Sequence, residues 1–130
     1  MQSVRISHQL LVNAGSPPIT YAPGDVVFTE GDKADKMYVV LSGEVEVQLQ
    51  GTVIDTIGVG GTFGEMGLID GSPRSATVVA KTNSEVAAID EKTFIFLVDE
   101  MPYFALSTMR NLVDLLRRMN KQWMALRPAH

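Results

Sequence analysis

Cysteine is absent from this chain of 130 residues. That excludes disulfides, zinc–thiolate centres, iron–sulfur clusters and a cysteine nucleophile, and it suits a reducing compartment. Histidine is nearly as scarce, with only His8 and His130, at the two ends. A cupin-type metal centre needs two or three imidazoles converging with a carboxylate, so no metal site is expected. A serine hydrolase fares no better: G-x-S-x-G is missing and a histidine base would have to come from a terminus. Glu44 and Glu46 alternate along a strand-like segment and read as its solvated face rather than as an acid–base pair. The chain is therefore not expected to be an enzyme. Apolar runs of the roughly 18 residues needed to span a bilayer are also missing. The opening MQSVRISHQLLVNAGSPP has no sustained apolar core of a secretory signal, which places the chain in the cytoplasm with no membrane insertion. Positive charge is in deficit, with a formal net charge of −4 and a pI of about 5.0. The one dense basic cluster is Arg117-Arg118 with Lys121, so nucleic-acid binding by this chain alone is not expected.

What is present is an ordinary globular composition, 45% hydrophobic and 20% charged, of a length that makes one domain with a real core. Turn signals recur at Pro23-Gly24, Gly31-Asp32, Ser42-Gly43, Gln50-Gly51, Gly58 to Gly61 and Asp70-Gly71. Such spacing is what short antiparallel strands in a sandwich or barrel produce. Residues 37–41 (MYVVL) form a continuous apolar run, whereas 44–50 (EVEVQLQ) alternates, with Val45, Val47 and Leu49 on one face. Segments 53–57, 76–80 and 85–89 complete the strand-like set, and the β portion is expected to span about 19–90. Residues 1–18 show no clear pattern. After Ile89 the period changes: Phe94, Leu97, Val98 and Met101 fall at helical spacing, with Asp90 placed to cap the helix. Pro102 breaks that helix and opens a second one reaching about Leu126. Its Met109, Leu112, Leu116, Met119, Trp123 and Leu126 step by three and four, as in a heptad seam. This stripe fits a homodimer seam over 109–126 and equally a face packed on the β domain.

Residues 58–80, GVGGTFGEMGLIDGSPRSATVVA, carry the candidate chemistry. Gly64 lets backbone approach a ligand closely. Glu65 accepts hydrogen bonds from hydroxyls when ionised, and Arg74 offers a fork of donors matched to phosphate. Ser75 adds a hydroxyl, and the Ser75 and Ala76 N–H groups lie beside it. A carboxylate for sugar and a guanidinium for phosphate make sense for a nucleotide. On the residues alone, a surface ion pair between Glu65 and Arg74 fits as well.

FGEMGLIDGSPRSATV resembles the phosphate-binding cassette of the cyclic nucleotide-binding domain family, to which bacterial catabolite activator proteins, regulatory subunits of cyclic-AMP-dependent protein kinase and cyclic-nucleotide-gated channels belong. ITYAPGDVVFTEGDKADKMYVVLSGEVEV looks like the family's opening strands, and EVAAIDEKTFIFLVDEMP with the following helix like its last strand and C-terminal helices. The resemblance implies an antiparallel β-roll of jelly-roll type, cupin-like in shape (a double-stranded β-helix), followed by two α-helices. Residues 19–130 would be the binding domain, with the helices over 91–126 and an N-terminal segment at 1–18.

By position the resemblance assigns Glu65 to the ribose 2′-OH and Arg74 to the exocyclic phosphate oxygens, with Ser75 and the Ala76 N–H assisting. Phe63, Gly64, Met66 and Gly67 would complete the backbone cradle. Gly67 stands where many members have alanine, a difference that implies no loss of binding. In the family the base is capped near the end of the C-terminal helix, which here points to Arg117 or Asn120. Serine beside the arginine favours cyclic AMP, with cyclic GMP as the alternative ligand. No cofactor is implied, and an effector protein or a further chain would read the signal. The same fold with no physiological nucleotide, acting as an interaction or dimerisation module, is the competing expectation. Met1 reads as a natural start, which suits a stand-alone sensor.

Overall fold

The computed structural model describes residues 6–126, with side-chain surroundings through residue 121. Eight strands form two four-stranded antiparallel sheets. They are β1 (Ile19–Tyr21), β2 (Val26–Phe28), β3 (Met37–Ser42), β4 (Val45–Leu49), β5 (Thr52–Ile57), β6 (Thr62–Phe63), β7 (Thr77–Ala80) and β8 (Ser84–Ile89). One sheet has the order β1-β8-β3-β6 and the other β2-β7-β4-β5. Four helices accompany them: α1 (His8–Asn13), α2 (Glu65–Asp70), α3 (Glu91–Glu100) and α4 (Tyr103–Leu126). The expected β-roll with C-terminal helices is what forms, as two facing sheets rather than one closed barrel. No described helix is long and apolar enough to cross a membrane.

Two cores explain the two kinds of strand pattern. Between the sheets, Val40, Val86 and Phe63 from the first pack with Val45 and Val78 from the second. On the outer face of the first sheet, Met37, Val39, Ala87 and Ile89 pack with Leu11 of α1, Leu97 of α3 and Phe104 of α4. Strand β3 is thus covered on both faces, which is why it reads as an unbroken apolar run. The alternating β4 belongs to the second sheet, where Val45 is fully buried and Leu49 is exposed at the strand's end. A register shift between Val47 and Gln48 breaks the alternation there.

Helix α3 starts where the sequence placed its cap. The Asp90 carboxylate accepts from the Thr93 N–H at 2.8 Å, which holds the Asp90 carboxyl below the usual carboxylate range. Met101 leaves helical geometry just before Pro102, as the residue preceding proline must. Helix α1 was not legible in the sequence. Ser7 caps it, accepting from the Leu10 N–H at 3.0 Å, and Leu11 anchors it. Along the α4 stripe, Met109, Leu116 and Met119 are each more than half exposed, while Phe104, Ser107 and Thr108 face inward. The side chains of Trp123 and Leu126, which would continue the stripe, lie outside the described residues.

Candidate functional site

Strand β6 leads directly into Gly64, whose φ of +75° is left-handed, and helix α2 follows without a side-chain cap. Gly71 closes α2 with a second left-handed residue at φ +71°. Asp70 then folds back on Ser72, accepting from its N–H at 2.9 Å and its hydroxyl at 2.6 Å, which keeps the Asp70 carboxyl below its ordinary range. Pro73 follows, and the chain arrives at Arg74. The backbone there is clamped on both sides: Arg74 N–H donates to Asp32 O at 2.9 Å and Gly31 N–H to Arg74 O at 2.8 Å.

Two of the three charged residues of this turn, Glu65 and Arg74, are inside the protein, whereas Asp70 is exposed. Glu65 and Arg74 are each only 7% exposed, and no ion pair joins them among the described residues. The surface-pair alternative is therefore overturned. Burial raises the Glu65 carboxyl above its ordinary value, because desolvation penalises the charged form. Arg74 Nη1 donates to Gly64 O at 3.0 Å and Nη2 to Lys36 O at 2.9 Å. Its Nε is buried and has no acceptor among the described residues. The glycines make room for this arrangement: a Cβ on Gly64 or Gly67 would stand 2.7 or 2.8 Å from Arg74 Nη1.

A cleft of about 1430 Å³ opens between this turn, the β4–β5 hairpin and α4. Phe63, Gly64, Glu65, Met66, Gly67, Arg74, Ser75 and Ala76 all line it, so the structure brings the eight cassette residues together. Arg117 lines it from α4. Asn120 does not: it is exposed and, at about 100° per residue, points half a turn away from Asn111 and Arg118. Beside Arg117, α4 presents Asn111, Asp114, Leu115, Arg118 and Lys121 to the cleft, together with Leu112 and Met119 of the apolar seam. Asn111 Nδ2 donates to Thr62 Oγ1 at 3.0 Å and Arg118 Nη1 to Asp55 Oδ2 at 2.8 Å, tying α4 to both sheets. Their three- and four-residue spacing was visible in the sequence, but the apolar seam beside it was the stronger pattern. Among the described residues no group of three or more His, Asp or Glu gathers to hold a metal.

Two facing sheets, a helical cap and a cleft walled by a buried carboxylate and a buried guanidinium define a ligand-binding β-roll domain. The family model described as the cyclic nucleotide-binding domain matches residues 18–101, and the chain belongs to that family. Among solved structures it is similar to the Thermus thermophilus catabolite activator protein, at 27% identity and a TM-score of 0.74 over 93% of this chain. The match spans 60% of that protein's length. A cyclic nucleotide-binding domain from Methylobacillus flagellatus KT matches at 26% identity and TM-score 0.66, over 97% of this chain and 75% of its own. The N-terminal domain of a Streptomyces coelicolor A3(2) transcriptional regulator matches at 27% and 0.60, over 91% and 87%.

Proposed function

We propose that this chain is a cyclic-nucleotide sensor that binds cyclic AMP through residues 63–76. The observation that carries the reading is the pair Glu65 and Arg74, both buried, both on one cleft and neither neutralising the other. Glu65 accepts from the ribose 2′-OH. Arg74 donates to an exocyclic phosphate oxygen beside the Ser75 hydroxyl and the Ala76 N–H, and the backbone of Gly64, Met66 and Gly67 cradles the sugar–phosphate. Helix α4 walls the cleft and serves as a lid over it, hinged at Met101-Pro102. Ligand shifts that equilibrium only by binding the closed form more tightly than the open one. Arg117 stacks on the base. The signal passes in the cytoplasm to an effector protein, and the exposed α4 stripe seats a second copy of the chain.

Cyclic GMP is the second reading, favoured by Asp114, whose carboxylate lines the cleft and matches the paired N–H donors of guanine. Titration calorimetry with both nucleotides decides. Binding of cyclic AMP that is lost in Arg74→Ala supports the first reading, and tighter cyclic GMP binding supports the second. No heat from either at tens of micromolar sinks both and leaves the interaction module.

A further inference from the structure

A guanidinium carries five N–H donors on one plane. In Arg74, two of the terminal N–H groups are spent on the backbone carbonyls of Gly64 and Lys36. The guanidinium also sits over an aromatic ring from a different part of the chain: Arg74 Cζ is 4.1 Å from the centroid of Phe28, on β2. Tyr38 is the more distant neighbour, at 5.4 Å. The Phe28 ring is in turn held by other rings, with its centroid 5.6 Å from Tyr38 and 5.9 Å from Phe63, while Tyr38 and Phe63 stack at 5.1 Å. Two hydrogen bonds and a ring thus hold the Arg74 guanidinium in place. Three donors remain, and Nε is the buried nitrogen that has no acceptor at all among the described residues.

We propose that Phe28 is a positioning residue for Arg74, holding the guanidinium by its π-face so that the unspent donors are aimed at an anionic oxygen in the cleft. This rests on the reading of the cleft as a cyclic-nucleotide site. A long, flexible side chain recruited from solvent would lose its rotamer freedom when the ligand binds. One already stacked and anchored has lost it on folding, and the ligand gains the difference. The cation–π attraction is strongest where water is excluded, as around a buried guanidinium. An aliphatic residue of similar bulk would fill the space between the sheets but would offer no such face.

The test uses the whole chain with Phe28 replaced by mono-, di- and trifluorophenylalanine, which keep the shape of the ring and drain its face of negative potential. Cyclic AMP and cyclic GMP affinities are read by calorimetry, and the Arg74 Nε–H by NMR. The expected result is a stepwise loss of affinity, about three- to tenfold by the trifluoro ring, with an unchanged melting temperature. Phe28→Tyr retains affinity and Phe28→Leu does not. Without ligand, the Nε–H resonance is ring-shifted and slow to exchange. Affinity that is flat or rises along the fluorine series overturns the positioning role alone. A fast-exchanging, unshifted Nε–H overturns the stack itself. An anchored Nε–H in a chain that binds neither nucleotide overturns the sensor reading and, with it, any role of Phe28 in binding.

Discussion

Arg118 on α4 donates to Asp55 on β5 at 2.8 Å, and both residues line the cleft. With the Asn111–Thr62 bond it seats α4 against the cleft. Both partners of the ion pair are partly exposed, so it is worth about 0–1 kcal/mol and weakens with salt. If the seated helix is the closed form, Asp55→Asn lowers nucleotide affinity by up to about fivefold. It should also speed hydrogen exchange over 109–121, and both effects should shrink at high salt. Calorimetry at two ionic strengths checks this, and a gain in affinity would assign the contact to the open form.

Gly67 is helical and has no conformational need to be glycine, so alanine would ordinarily favour α2 by about 1 kcal/mol. Space forbids it. An added Cβ meets Ala34 Cβ at 2.6 Å, Arg74 Nη1 at 2.8 Å and Lys36 O at 3.1 Å. Gly67→Ala is expected to cost about 1–3 kcal/mol in chemical denaturation, as overpacking does, and to weaken nucleotide binding by displacing Arg74. Adding Ala34→Gly should recover part of both losses. A fully stable, fully binding Gly67→Ala single variant would show that the loop carrying Ala34 yields freely.

Glu65 is buried and its carboxyl is raised, so its charge opposes folding. The protonated form suits the folded state better. Stability from this group is fully present below the ordinary carboxylate value and is lost as pH rises through the raised one. Glu65→Gln should therefore melt higher than the native chain at neutral pH, with the difference vanishing in acid. Binding runs the other way, because a ribose hydroxyl needs the ionised acceptor. The variant is expected to bind about tenfold more weakly at neutral pH, with a flat pH profile where the native chain loses affinity on acidification. A native profile as flat as the variant's would remove Glu65 from the sugar.

Much of the fold was legible because burial writes itself into period. Strand β3 is covered on both faces and reads as MYVVL, whereas β4 lies in the sheet without the helical cover and alternates. Asp90 and Pro102 marked the start and stop of α3 for local backbone reasons that no tertiary contact altered. Short strands such as β2 and β6, with three and two residues, carry too few positions to show a period. The cassette was legible as a run of residue types, but not the fate of its charges. Whether Glu65 and Arg74 pair at the surface or stay apart inside depends on Phe28, Lys36 and Ala34, all from another stretch of chain. Asn120 failed as a cleft residue because helix phase relative to the sheets is set by Phe104 and Thr108, which lie outside the heptad seam.

That seam supports the last prediction. Met109, Leu116 and Met119 lie along one face of α4, each more than half exposed, with Leu112 between them. A single exposed apolar side chain needs no explanation, but three on one helical stripe leave a face to cover. The native chain is expected to sediment as a dimer at tens of micromolar, and Met109→Glu with Leu116→Glu should convert it to a monomer. Exposed substitutions change the stability of an isolated fold by no more than about 0.5 kcal/mol, so the variant's melting temperature should cease to depend on concentration. Nucleotide binding should persist, because neither Met109 nor Leu116 lines the cleft, although their stripe neighbours Leu112 and Met119 do. A native chain that sediments as a monomer, with or without nucleotide, would leave the stripe for the effector protein rather than for a second copy.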